Sequence, residues 1–281
     1  MSNLRSNWLK PPQFIALLWL IMVWPLAAED RKEYRYSVES EPMITVSNSC
    51  GSIAVGPSGS KEIIVTTIAY SEGVTFVHEQ HGRRLEFQAR SKHQEKVVAS
   101  YQVLVPSDAF VIMRSSYGTL HAEGLRGDIV LEGPAAAIEV TGMSNAHVHV
   151  KTLTGAVGVT NVRSSRVDIQ SVSGNIRLHN VTASTVQANS ESGTIMYEGD
   201  PDGRGEYHLT TRTGAVFLSI PAKAPVEIKT LSLNRGFDEQ DQAIDRGLQT
   251  GQSSLLSKKG AVNWSKFVVR SFGGRIHITR P

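Results

Sequence analysis

His147, His149 and Asp168 are the residues whose types and spacing could do chemistry. Imidazole and carboxylate groups are common ligands of transition metals, and three of them on one face could hold an ion. Lyase chemistry needs a base beside a carboxylate-neutralising cation, and the outward columns supply no such pair: Arg166 and Asp168 share a strand and most simply form a solvated pair. The spacing permits a metal site, but solvated polar side chains are the default on a solenoid exterior, and that is the reading taken. Glycoside hydrolysis needs two carboxylates flanking the scissile bond, and the pattern supplies no such pair. Nothing has the form of a serine nucleophile elbow, a Walker loop or a Cys/His zinc ligand set. GPSGSKE at residues 56–62 lacks the frame and the Lys-Ser/Thr ending of a phosphate loop and reads as a hairpin turn. The expectation is therefore no catalytic residue, no cofactor and no metal.

What positions these side chains is a repeat. Ser/Thr-x-Ser/Thr-Gly steps place Gly155, Gly174, Gly193 and Gly214 at intervals of 19, 19 and 21 residues. Extended backwards, the frame reaches Ala136 and Gly118. Each unit carries two alternating apolar pairs, such as Ile176/Leu178 followed by Val186/Ala188. Period-two alternation means strands with one buried face, and a unit of about 19 residues cannot bury that face alone. Stacking the units gives an all-β fold, a single-stranded parallel β-solenoid (a right-handed β-helix) with rungs of about 19 residues. Leu125, Met143, Val162 and Val181 form a third inward column at one corner, each after a Gly or Asn suited to a left-handed turn. The glycine of each Ser-Gly step is given the same left-handed role at the opposite corner, where its Ser/Thr neighbours bond local backbone.

The stretches SCGSIAVGPS, VLVPSDAFVIMRSSYGTLHAEGLRGDIVLEG, SVSGNIRL, ESGTIMYEG and SFGGRIHI together resemble the bacterial putative-adhesin family of uncharacterised domains with Gly-Asp-Ile-type repeats. The chain departs from that step at Ala136-Ala137 and Gly214-Ala215. The resemblance spans most of residues 36–281; it implies adhesion and supplies no catalytic residues to carry over.

Residues 1–28 read as a signal peptide: Arg5 and Lys10 precede an apolar run of 11 residues, Phe14 to Trp24, which ends before Ala27-Ala28. That run falls short of the roughly 20 residues needed to cross a bilayer. Removing the segment takes two of 29 basic residues and none of 26 acidic ones, leaving 27 against 26. A nearly neutral chain without clustered Lys and Arg argues against nucleic acid as partner. Cys50 is the only cysteine, so no internal disulfide can form. Residues 29–281 read as a single domain: irregular N-terminal strands over 29–113, regular rungs over 114–220, a polar insertion over 221–260 and a closing rung over 261–281. The separate alternative for the first part is a sandwich. Arg275, His277 and Arg280 suit protection of an open terminal edge.

The outward positions of the first strand read His121, Glu139, Gly158, Arg177, Met196 and Phe217. Met196 and Phe217 are apolar where solvent is expected, so they lie either beneath the insertion or in a binding patch. His121, Glu139, Arg177, Met196 and Phe217 are the candidate contact face. The functional expectation is a non-enzymatic, exported adhesin-like or envelope scaffold protein, in the periplasm, at the outer-membrane surface or outside the cell. Its partners would be envelope glycans or surface proteins, with no integral membrane segment left after signal removal. The alternatives are a carbohydrate-processing β-helix enzyme and a scaffold polymerising through its rungs.

Overall fold

Alternating aliphatic and polar residues become strands throughout the computed structural model, which describes residues 30–91, 97–232, 237–239, 252–255 and 264–281. The signal-peptide reading and most of residues 233–263 lie outside these. Every helix or strand among the described residues is a strand. The first are β1 (Asp30–Ser37), β2 (Met43–Pro57), β3 (Glu62–Ala69), β4 (Val74–His81), β5 (Arg84–Ser91), β6 (Ala99–Val105) and β7 (Phe110–Glu123). The repeat supplies β8 (Ile129–Gly133), β9 (Ala137–Thr141), β10 (His147–Thr152), β11 (Val157–Ser171), β12 (Ile176–Ser190), β13 (Ile195–Glu198), β14 (Glu206–Thr211) and β15 (Val216–Ser219). Then come β16 (Val226–Ser232), β17 (Phe237–Glu239), β18 (Gln252–Leu255), β19 (Ser265–Ser271) and β20 (Ile276–Thr279).

The repeats pair in parallel, each residue with its equivalent one unit on. Ile138, Val157, Ile176, Ile195, Val216 and Ile276 form one continuous ladder of partners. Ile129, Val148, Val167, Val186, Tyr207 and Phe267 form a second. All of these side chains are buried in one cluster that runs from Ile44 to Ile278. Each aliphatic contributes roughly 1.5–3 kcal/mol by leaving water, so the stack rests on its columns. In the last rungs aromatic rings fill the column: Tyr207 stacks on Phe267 at 4.3 Å, and Tyr197 packs edge-on against both. A buried phenol needs an acceptor, and the Val181 carbonyl receives Tyr197 Oη at 3.0 Å.

The two corners differ. At Gly124, Gly142, Asn161 and Asn180 φ lies between 52° and 66°, as expected before Leu125, Met143, Val162 and Val181. The opposite corner corrects the sequence reading. Gly155, Gly174, Gly193, Gly214 and Gly274 do not have positive φ. They are glycines because a Cβ on each would collide with the backbone carbonyl oxygen of the equivalent residue on the neighbouring rung. Beside them runs a buried ladder of hydroxyls, Thr152, Ser171, Ser190, Thr211 and Ser271. Thr152, Ser190, Thr211 and Ser271 each accept from the amide of the glycine three residues on, at 2.8–3.1 Å. Ala136 is the exception, carrying a Cβ in this column. The position three residues before it is Gly133, where a Cβ would crowd the Ala136 methyl.

The ends of the stack depart from chain order. The array β2 pairs with β7 in parallel across both of its halves, from Met43↔Phe110 to Val55↔Ala122, and is therefore a regular rung. On its other side lie β5 and β6, later in the chain, with β1, β3 and β4 attached by antiparallel pairing. The far end repeats the device. Strands β19 and β20 are held between β14/β15 and β16/β17, and β18 pairs antiparallel outside β16. Two expectations are corrected here. Val226–Ser232 is no part of an exposed insertion, because Val226 and Ile228 are buried against β19. Nor is 261–281 the closing rung: His277 pairs with Phe217 on one side and Asp238 on the other, and Arg280 donates to the carbonyls of Ala222 (2.8 Å) and Ala224 (3.0 Å). An antiparallel strand laid on a parallel stack ends the parallel register that a further copy would extend.

Candidate functional site

The outward residues of the first array stack one per rung in the order His121, Glu139, Gly158, Arg177, Met196, Phe217 and His277. Alternation places them opposite the buried column, so the rungs that build the core also build this face. All five candidate contact residues are thus in one line. They fall into two parts, separated by Gly158 and its missing side chain. In the first, His121 Nδ1 lies 3.5 Å from a Glu139 carboxylate oxygen. In the second, Arg177 and Met196 lead to Phe217, whose ring stacks on His277 at 4.7 Å with an interplanar angle of 7°. Phe217 remains 37 % exposed on this outward face. His277, which the sequence alone reads as edge protection, joins this line, and its long separation from Phe217 in the chain hides that place.

On the second array His147, His149 and Asp168 do not converge. His147 turns away to Asp128, whose carboxylate accepts from its backbone amide at 2.8 Å and lies 3.1 Å from Nδ1. His149 Nδ1 is 3.7 Å from Asp168 Oδ2, and Arg166 approaches the same oxygen at 3.8 Å. No group of three metal-ligating side chains is formed among the described residues. Several carboxylates of the surface have a basic partner on the next rung. Glu132 pairs with Arg114, Glu191 with Arg212, Glu198 with His179 and Glu206 with Lys266, each across neighbouring rungs. Exposed pairs of this kind contribute roughly 0–1 kcal/mol each, so they set surface order more than stability. Among the described residues the groups with displaced pKa values are Tyr36, Tyr101, Tyr197 and Tyr207, all pushed up, chiefly by burial. They belong to the core and its margin, and none offers a proton donor tuned to neutral pH.

A family model described as Toastrack DUF4097 matches residues 43–257. No curated protein matches the chain. Among solved structures, one titled a putative cell adhesion protein from Clostridium sporogenes is similar at 12 % identity and a TM-score of 0.23. It covers 89 % of this chain and 100 % of its own. Another, titled a putative adhesin from Bacteroides fragilis, is similar at 9 % identity and a TM-score of 0.35, covering 88 % of this chain and 96 % of its own.

Proposed function

The chain belongs to the Toastrack DUF4097 family, and from that premise we propose that it is a non-enzymatic, exported adhesin-like binding protein or envelope scaffold. Its rungs form a right-handed single-stranded parallel β-solenoid over one domain, residues 29–281, released by removal of residues 1–28. The contact face is the line of His121, Glu139, Arg177, Met196 and Phe217, and its partners are envelope glycans or surface proteins. The observation that carries this reading is the exposed Phe217 ring, stacked on His277 and adjoining Met196 and Arg177 in one outward column. Aromatic and aliphatic side chains in line along a sheet face offer broad contact without the enclosed, convergent groups that catalysis needs. The pairing of Glu132 with Arg114 and of Glu206 with Lys266 across rungs also favours binding over glycoside hydrolysis, which requires two carboxylates acting on one bond. No helix of the described residues is long and apolar enough to cross a membrane.

The test is a solid-phase screen of the purified chain against envelope polysaccharides, glycans and surface proteins, with product analysis of every carbohydrate bound. Retention of an intact partner, reduced by Phe217→Ala with unchanged thermal unfolding, is the expected result. Cleavage of a bound polysaccharide would replace this reading with that of a β-helix enzyme.

A further inference from the structure

A cavity of about 670 Å³ opens where the second array begins, away from the face just described. Its floor comes from adjacent rungs: Met43 of β2 is paired with Phe110 of β7, both half-buried at outward positions. Backbone bonds fix that floor, from Met43 N to Arg83 O (2.9 Å) and from Phe110 N to Pro42 O (2.8 Å). Over it stand the corner loops. Arg126 N and Gly127 N both donate to Ser107 O, at 2.7 and 2.9 Å, and a Cβ on Gly127 would strike the Ala109 backbone. Arg126 and Asp108 both line the cavity. The Arg126 guanidinium donates to Ser107 Oγ at 3.2 Å, and among the described residues neither Asp108 nor Arg126 is in an ion pair. Glu41, on the rim, has φ of 53°, a region that a glutamate seldom occupies.

We infer that this cavity is a binding site for an uncharged saccharide unit. A sugar ring offers an apolar C–H face, which suits Phe110 and Met43, and an edge of hydroxyls that both donate and accept. Arg126 supplies donors and Asp108 acceptors from the same lining, with no ion pair between them. Three arginines, Arg83, Arg84 and Arg126, and three carboxylates, Glu41, Asp108 and Asp128, line the site together with His81, so fixed charge of one sign does not dominate it as it would in a polyanion site. Its volume lies within the range of about 300–1,000 Å³ common to small-molecule sites. The inference rests on the binding-protein reading for the class of ligand only, since the place is a different one.

Ligand-observed NMR with the purified chain tests it, using cellotriose, maltotriose and chitotriose as neutral probes and trigalacturonate as the anionic one. At least one neutral trisaccharide should bind, with an affinity little changed between about 50 and 500 mM salt. Asp108→Ala and Arg126→Ala, both at exposed loop positions, should each weaken that binding about tenfold, with unfolding temperatures unchanged. Failure of all three neutral probes overturns the inference, as does binding of trigalacturonate alone with loss in salt. If Phe217→Ala removes the binding and the two cavity variants retain it, the cavity is excluded while the contact face stands.

Discussion

The carbonyl oxygen of Gly155 occupies the space that a Cβ on Gly174 would need. That relation recurs between Gly174 and Gly193, between Gly193 and Gly214, and between Gly214 and Gly274. The rungs are pressed together at this corner until only hydrogen fits. Each glycine therefore guards the spacing of the stack, and its conformational freedom is incidental.

Gly174→Ala should be strongly destabilising, by several kcal/mol, because the methyl meets backbone that cannot move without shifting a rung. Gly158→Ala is the control, for it has open space around its Cα and lies on the outward face of β11. There the change should be neutral or stabilising by up to about 1 kcal/mol, through a less flexible unfolded chain. Chemical denaturation of both variants checks the contrast, and similar midpoints would contradict it.

Ser190→Ala should cost about 1–3 kcal/mol, since the buried Gly193 amide loses the hydroxyl that accepts from it at 2.8 Å. Ser190→Thr should recover most of that loss, because Thr152 and Thr211 do the same work in the same ladder. Urea unfolding of the pair against the parent chain measures both, and failure of threonine to rescue would show that packing and not the hydroxyl is at stake.

Much of this was legible in the sequence, because a parallel stack repeats its demands at fixed intervals. The columns Val148, Val167, Val186 and Leu125, Met143, Val162, Val181 follow from alternation and from Gly or Asn at the turn. What alternation cannot convey is order in space. Nothing local distinguishes a strand added next to its predecessor from one threaded between two others, so the seating of β19 inside β16 and of β2 inside β5 and β6 was not visible. The role of the Ser-Gly glycines was misassigned for a similar reason: close approach to another rung leaves no local signal, whereas left-handed turns do. The line from His121 to Phe217 was readable as a line, but the cavity over Met43 and Phe110 was not, because its walls come from loops far apart in the chain.

Val167→Asp should abolish folding while Asp168→Ala changes stability by no more than about 1 kcal/mol. Val167 is fully buried between Val148 and Val186, where a carboxylate has no partner and costs several kcal/mol. Asp168 lies on the outward side with its side chain 17 % exposed and Oδ1 buried without a hydrogen bond, so its loss removes contacts of 3.7 and 3.8 Å to His149 and Arg166 and also relieves an unpartnered buried oxygen. Circular dichroism and thermal unfolding decide this, and equal melting temperatures would reverse the assignment of inside and outside.

The buried phenols predict alkaline unfolding. Tyr101, Tyr197 and Tyr207 are held neutral in the folded chain with pKa values raised above the ordinary 10.0, burial being the largest cause for each. In the unfolded chain they ionise near pH 10. Below that pH both states keep the proton and these groups leave stability independent of pH. Above it the unfolded state releases protons that the folded state retains, so stability falls as pH rises. The slope is about 1.4 kcal/mol per pH unit for each tyrosine, or roughly 4 kcal/mol per unit for three. Denaturant midpoints should therefore hold between about pH 8 and 9.5 and drop steeply beyond pH 10. Phenolate absorbance from these three residues should appear together with loss of the fold. Tyr197→Phe removes one ionising group along with the bond to Val181 O at 3.0 Å. It should lower stability at neutral pH by about 1 kcal/mol and cut the alkaline slope by about a third. A slope unchanged by Tyr197→Phe, or phenolate signals from a chain still folded, would show that these rings are open to water.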